Sequence, residues 1–160
     1  MLNKTLPRIK DLNKILLLLI IIWGLWYKSG ILYAASDSLP YKFFWLIKKQ
    51  QSFPQKNQLV AIDNHDTNYV HNVKFIKIVG GVAGDLITIV NHQIWINHTL
   101  IGKLRTHTNS QQPLTPIVNT IIPPGWIFVY ATHPDSFDSR YREFGLVKVD
   151  KIIGKVTPLW

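Results

Sequence analysis

A chain of 160 residues has room for one modest domain and an anchor. Its formal net charge of +9 is spread thinly, with five of the eighteen Lys and Arg before residue 30 and no basic block, which fits membrane topology better than a nucleic-acid stripe, so no nucleic-acid partner is expected. The absence of cysteine excludes thiol catalysis, disulfides and Cys-based zinc sites.

Residues 1–14 are polar and basic, with Asp11 the only acid. Thirteen unbroken apolar residues follow, Ile15 to Tyr27. That is short for a membrane span, which needs about 20 residues. Continuing through Lys28, Ser29 and Gly30 to Ala35 gives twenty-one, with Lys28 snorkelling and Trp23, Trp26 and Tyr27 toward one interface. The expectation is therefore a cytoplasmic basic N-terminus (1–14), a transmembrane anchor (15–35) and an exported domain (36–160). A cleaved secretory signal is the competing reading, but Leu32 or Tyr33 would then occupy a position that favours a small residue. Lys4, Arg8, Lys10 and Lys14 before the run keep the N-terminus in the cytoplasm and place the domain on the outer face of the inner membrane.

Directly after the apolar run stands Ser36-Asp37-Ser38-Leu39-Pro40. A serine held by a nearby proline at the mouth of an anchor makes Ser38 a candidate nucleophile. Tyr41 to Ile47 is apolar and aromatic, either a strand or a surface that dips into the lipid interface. Residues 48–57 read as a loop. Leu59 to Ile62 is a short strand, and Asp63 to Asn68 a turn-rich insert whose oxygens, with His65, read as a solvated loop rather than a metal site. His71 reads the same way.

Val73 to Val79 is a β-branched strand that runs into glycines at 80, 81 and 84. Alternation puts Phe75, Lys77 and Val79 on one face and Lys74, Ile76 and Ile78 on the other. Each lysine has apolar neighbours on its own face, so one of them is expected to be partly buried and to lose its proton readily. Leu86–Val90 and Gln93–Asn97 form a hairpin about Asn91-His92. After a polar loop (104–116) come a strand (117–122), a turn at Pro123-Pro124-Gly125, a strand (126–130), a polar loop (133–141) and a closing strand (147–156). Many short strands and few helical periods predict an all-β domain, a partly closed barrel or sandwich, behind one helix.

Three separated segments together resemble the type I (leader) signal peptidases. Ser36-Asp37-Ser38-Leu39-Pro40 is similar to the nucleophile box, in the short form of the conjugative-transfer, TraF-type branch. Lys77-Ile78-Val79-Gly80-Gly81-Val82-Ala83-Gly84-Asp85 resembles the lysine box. Pro123-Pro124-Gly125 with Ser136-Phe137-Asp138-Ser139-Arg140-Tyr141 resembles the last box. The chain departs from the family pattern at Lys42, Ile78 and Ala83, and Tyr130-Ala131-Thr132 stand where Gly-Asp-Asn usually does.

The resemblance implies a Ser/Lys dyad with no cofactor and no metal. Ser38 would attack a peptide carbonyl, and a desolvated, neutral Lys77 would take its proton. The family register selects Lys77 over Lys74. Ser136 would orient the amine, the Ser38 N–H and the Ser36 hydroxyl would meet the oxyanion, and Asp138 and Arg140 would form a structural ion pair nearby. The residues alone leave Ser36 as a possible turn cap and Ser136 and Ser139 as interchangeable loop hydroxyls. The implied activity is removal of leader peptides, with small residues near the cut, from precursors in the same bilayer, pilin-like subunits of a conjugation or type IV secretion system among them. Alternatives are a housekeeping leader peptidase and a non-catalytic assembly protein of a secretion apparatus.

Overall fold

A computed structural model describes residues 9–48, 53–63, 65 and 67–159. The basic tail before Ile9, and Asn64 and Asp66 of the turn-rich insert, lie outside the described residues. Helix α1 (Ile9–Lys28) is followed without a linker by strand β1 (Ser29–Tyr33). Then come β2 (Phe43–Lys48), β3 (Leu59–Ile62), β4 (Phe75–Gly81), β5 (Leu86–Val90), β6 (Gln93–Ile96), β7 (Thr99–Lys103), β8 (Thr120–Ile121), β9 (Trp126–Tyr130) and β10 (Val147–Lys148). A 3₁₀ turn at Val149–Lys151 leads into the last strand, β11 (Ile152–Pro158).

The part of the chain after α1 is all-β, as expected, but its strands form two open sheets rather than a partly closed barrel. One has the order β1-β2-β11-β3-β4-β9-β10, the other β7-β6-β5-β8. Closure would need β1 to meet β10, yet these are opposite edges of the seven-stranded sheet, and β10 is only two residues long.

The apolar run also ends sooner than expected. Ser29 and Gly30 are poor helix formers, and Ile31, Leu32 and Tyr33 pair with the aromatic β2 instead of continuing the helix. The thirteen apolar residues inside α1 rise about 20 Å, against a hydrocarbon core of about 30 Å. Among the described residues no helix is long and apolar enough to cross a membrane. From Ile15 to Trp23 every large apolar side chain of α1 is exposed, so this surface is not buried against the domain.

Three apolar clusters fill the domain. Val60, Ile62, Val79, Ile127, Val129, Phe144 and Val147 lie on one side of the large sheet, and Leu39, Phe44, Leu46, Ala61, Ala131 and Val156 pack in a second group. Ile87, Ile94, Ile96, Ile117, Ile122 and Phe128 fill the small sheet. The period-two pattern of β4 is real: Lys77, Val79 and Gly81 are buried in alternation, and Lys74 is exposed.

Where β4 passes toward the small sheet, a Cβ on Gly81 would lie 2.6 Å from Ile122 Cδ1, so the close approach requires glycine. The turn beyond is tied by Asp85, which accepts from Val82 N–H (2.8 Å), Lys56 Nζ (2.7 Å) and Asn97 Nδ2 (2.8 Å). Burial alone would raise this carboxyl, but those donors hold it below the ordinary range.

In the middle of the large sheet β11 lies between β2 and β3 with a bulge between Ile152 and Gly154. A Cβ on Gly154 would sit 2.1 Å from the Ile47 carbonyl oxygen, a backbone atom that cannot swing aside. Gly154→Ala should therefore cost roughly 1–3 kcal/mol or more in unfolding free energy. Urea denaturation checks this; a loss below about 0.5 kcal/mol would show that the strands separate freely there.

Candidate active site

The segment 36–40 is a string of bends held at two points. Leu39 is buried in the cluster that contains Ala131 and Phe44, and the His133 N–H donates to the Ser38 carbonyl (3.2 Å). Burying Leu39 leaves its neighbours facing outward: Ser36 is exposed and Ser38 half-buried. Their hydroxyls share a hydrogen bond of 2.6 Å. An exposed ion pair, Lys42 to Asp37 at 2.6 Å, braces the same segment but adds little stability, because water screens it.

Lys77 sits in the centre of the large sheet, opposite Val60 on β3. It is 3% exposed. Its Nζ donates to Ser136 Oγ at 2.7 Å and lies 5.9 Å from the centre of the Phe144 ring. Burial is the main cause that pushes the amine down to about 8; the Asp138 carboxylate opposes this and the Arg140 guanidinium adds to it. Lys74, just before this strand, is exposed, so of the two candidate lysines only Lys77 is in such surroundings.

The loop 133–141 supplies the rest. Asp138 and Arg140 form a fully buried fork: Nε reaches Oδ1 at 2.8 Å and Nη2 reaches Oδ2 at 2.9 Å. Asp138 Oδ2 also accepts from the Ala131 N–H (3.1 Å), and Arg140 Nη2 also donates to the Ser136 carbonyl (3.0 Å). The pair thus holds the backbone that carries Ser136. The two serines of this loop are not interchangeable. Ser139 Oγ is committed to the Gly145 carbonyl (2.7 Å) and the Val129 N–H (3.1 Å), whereas Ser136 Oγ meets the lysine.

The six residues singled out from sequence therefore fall into two groups joined by backbone. Ser36 and Ser38 are one group; Lys77, Ser136, Asp138 and Arg140 are the other. His133 links them, donating its N–H to Ser38 and accepting from the Ser136 N–H (3.1 Å). Sequence reasoning missed Phe144, which no periodicity marks, and it misread His65. That histidine is half-buried, with Nε2 2.7 Å from the Phe144 carbonyl.

Residues 9–160 match a family model described as signal peptidase, peptidase S26, and the chain belongs to that family. It is 26% identical over 86 residues to a conjugal transfer protein TraF from Agrobacterium fabrum, a match covering 53% of this chain and 48% of that protein. The chain thus spans about half the length of that curated relative. A crystal structure of a signal peptidase I from Enterococcus faecalis is also similar, with TM-score 0.47 and 22% identity, covering 68% of this chain and 100% of that one.

The buried amine has a thermodynamic signature. Between about 8 and 10.5 the unfolded chain carries a proton on this lysine that the folded chain lacks, so stability rises with pH across that window. Below about 8 both states are protonated and the burial cost is present in full. Lys77→Met should thus be more stable than the wild type at pH 7, by roughly 2–3 kcal/mol, with the advantage fading toward pH 10.5. Denaturation of both proteins at pH 7, 9 and 10.5 measures this; a pH-independent difference would mean the amine is solvated.

Proposed function

We propose that this protein is a membrane-anchored serine endopeptidase that removes leader peptides from exported precursors. Ser38 is the nucleophile and Lys77 the general base. The observation that carries this reading is the Lys77 amine, buried, touching a single hydroxyl and depressed to about 8, so that an appreciable fraction is neutral near physiological pH. Neutral Lys77 takes the proton of Ser38 Oγ as that oxygen bonds to the scissile carbonyl carbon, then returns it to the leaving amine; water repeats the sequence to release the acyl chain. Ser136 orients the amine. Developing charge on the carbonyl oxygen is met by the Ser38 N–H and by the Ser36 hydroxyl, whose oxygen lies 2.6 Å from Ser38 Oγ. Asp138 and Arg140 act through the backbone.

Helix α1 supports the anchor. The exposed side chains from Ile15 to Trp23 are apolar on every side of the helix, a surface at home in lipid. The precursors are membrane-borne, with small residues near the cut, and the likeness to a conjugal transfer protein favours pilin-like subunits of a conjugation or type IV secretion system. The N-terminus lies in the cytoplasm and the domain on the outer face of the inner membrane. Protease added to spheroplasts should digest the domain from Ser36 onward while sparing the N-terminal tail; protection of the domain would overturn this topology.

Turnover of a leader-bearing precursor tests the dyad. Ser38→Ala and Lys77→Ala should each abolish cleavage while the domain stays folded, because the two act as one unit. Lys74→Ala should be mild. Ser36→Ala should lower kcat about 10²–10³-fold, as loss of an oxyanion donor does elsewhere. Wild-type kcat should rise with pH through about 8 as Lys77 loses its proton. Full activity in Lys77→Ala would refute the mechanism.

A further inference from the structure

The segment that joins β3 to β4 reads in sequence as a solvated insert. In the fold, its residues 65 and 67–69 are tied to the chain around Lys77. The Thr67 hydroxyl closes a turn by bonding both the carbonyl (2.7 Å) and the N–H (2.9 Å) of Val70. The Asn68 N–H donates to the Glu143 carbonyl at 2.9 Å. The Tyr69 hydroxyl reaches the Pro113 carbonyl, and its ring lies 5.7 Å from that of Phe137. His65 completes the attachment. Its Nε2–H donates to the Phe144 carbonyl at 2.7 Å, and its ring centre is 4.6 Å from the Phe144 ring.

Phe144 is the ring nearest the Lys77 amine, at 5.9 Å. It is 2% exposed and is packed edge-on by Phe75 (5.2 Å) and Phe137 (5.4 Å). It follows Glu143 and precedes Gly145, whose φ of 74° lies in the left-handed region. A chain turn ending in such a glycine leaves Phe144 with no regular strand to fix it, although the Phe144 N–H donates to the Tyr141 carbonyl (3.2 Å). The carbonyl side of Phe144 is held by His65. One side chain therefore binds the backbone and packs against the ring of the same residue, the two planes tilted by 51°.

We infer that His65 is a positioning residue of the Ser/Lys machinery, fixing Phe144 as the wall that keeps water from the Lys77 amine. This rests on the dyad reading for its catalytic meaning, but its structural content stands apart from activity. Among the described residues, the charged groups that act on the amine are Asp138 and Arg140, both on the other loop. His65 acts by excluding water, through an aromatic ring, and not by placing a charge beside the amine. Without it Phe144 would swing, water would reach Nζ, and the lysine would hold its proton to higher pH.

The experiment is a pH titration of lysine side-chain ¹³Cε signals in the full chain, with the Lys77 signal assigned by its loss in Lys77→Met. In His65→Ala the Lys77 midpoint should move up by about one unit or more, a tenfold loss of neutral amine. His65→Phe keeps the packing ring without the N–H and should fall between; it carries the measurement if His65→Ala does not fold. Precursor cleavage gives a second readout: kcat of the His65 variants should drop about tenfold at pH 7 and recover toward wild type at pH 10, with KM little changed. A role confined to stability would lower kcat equally at every pH and leave the midpoint in place. An unshifted Lys77 midpoint in a folded His65 variant overturns the inference. Wild-type turnover by Lys77→Ala instead overturns the dyad reading, whatever the His65 variants do.

Discussion

A primary amine held out of water in the middle of a sheet is the constraint on which the rest of this structure depends. An ammonium in such a place costs several kcal/mol, and the protein lowers the cost by letting the proton go more easily. Lys77 can be there only because β3 and β9 flank it on both sides, Phe144 covers it, and Ser136 gives it one polar contact. Each neighbour sets a limit. A carboxylate in direct contact would restore the charge; open water would do the same. The single hydroxyl satisfies the amine without demanding that it be ionised.

Two of the carboxylate–cation pairs near the site show how location changes what a charge pair does. Asp37 and Lys42 are out in solvent and brace a bend. Asp138 and Arg140 are buried, and nearly every donor and acceptor they own is used, on each other and on the loop backbone. Losing either one would leave a buried charge without its partner, which is far costlier than the pair is stabilising. Because the fork is close to neutral as a unit, it can sit near Lys77 with opposing influences on the amine instead of fixing its charge.

Much of the site was legible because its chemistry depends on local spacing. Alternation along β4 placed Lys77 with Val79 and away from Lys74, and the three separated boxes gave the family. The Asn91-His92 hairpin was readable too, since both residues adopt the positive φ that a two-residue turn requires. What stayed hidden depends on contacts between distant parts of the chain. His65 and Phe144 are 79 residues apart, and no pattern in either segment announces the other. The end of the helix was misjudged for a related reason: Ile31, Leu32 and Tyr33 are as apolar as the run before them, and only a partner strand makes them β. Openness of the sheets is likewise a property of which edges meet, and composition does not encode it.

The direct passage from Lys28 into β1 has a mechanical consequence. The five residues after the helix are clamped to β2 in continuous register, and the chain then crosses only a short bend before Leu39 is pinned in the core. There is no slack between the helix and Ser38. The reach of Ser38 from the helix end is thus set by the length of a hydrogen-bonded strand, about 3.3 Å per residue, and not by a tether that can stretch. Under the proposed mechanism, a peptide that presents its scissile bond at another height would itself have to bend or unwind to be cut, so selection by distance would act before any side-chain pocket is consulted.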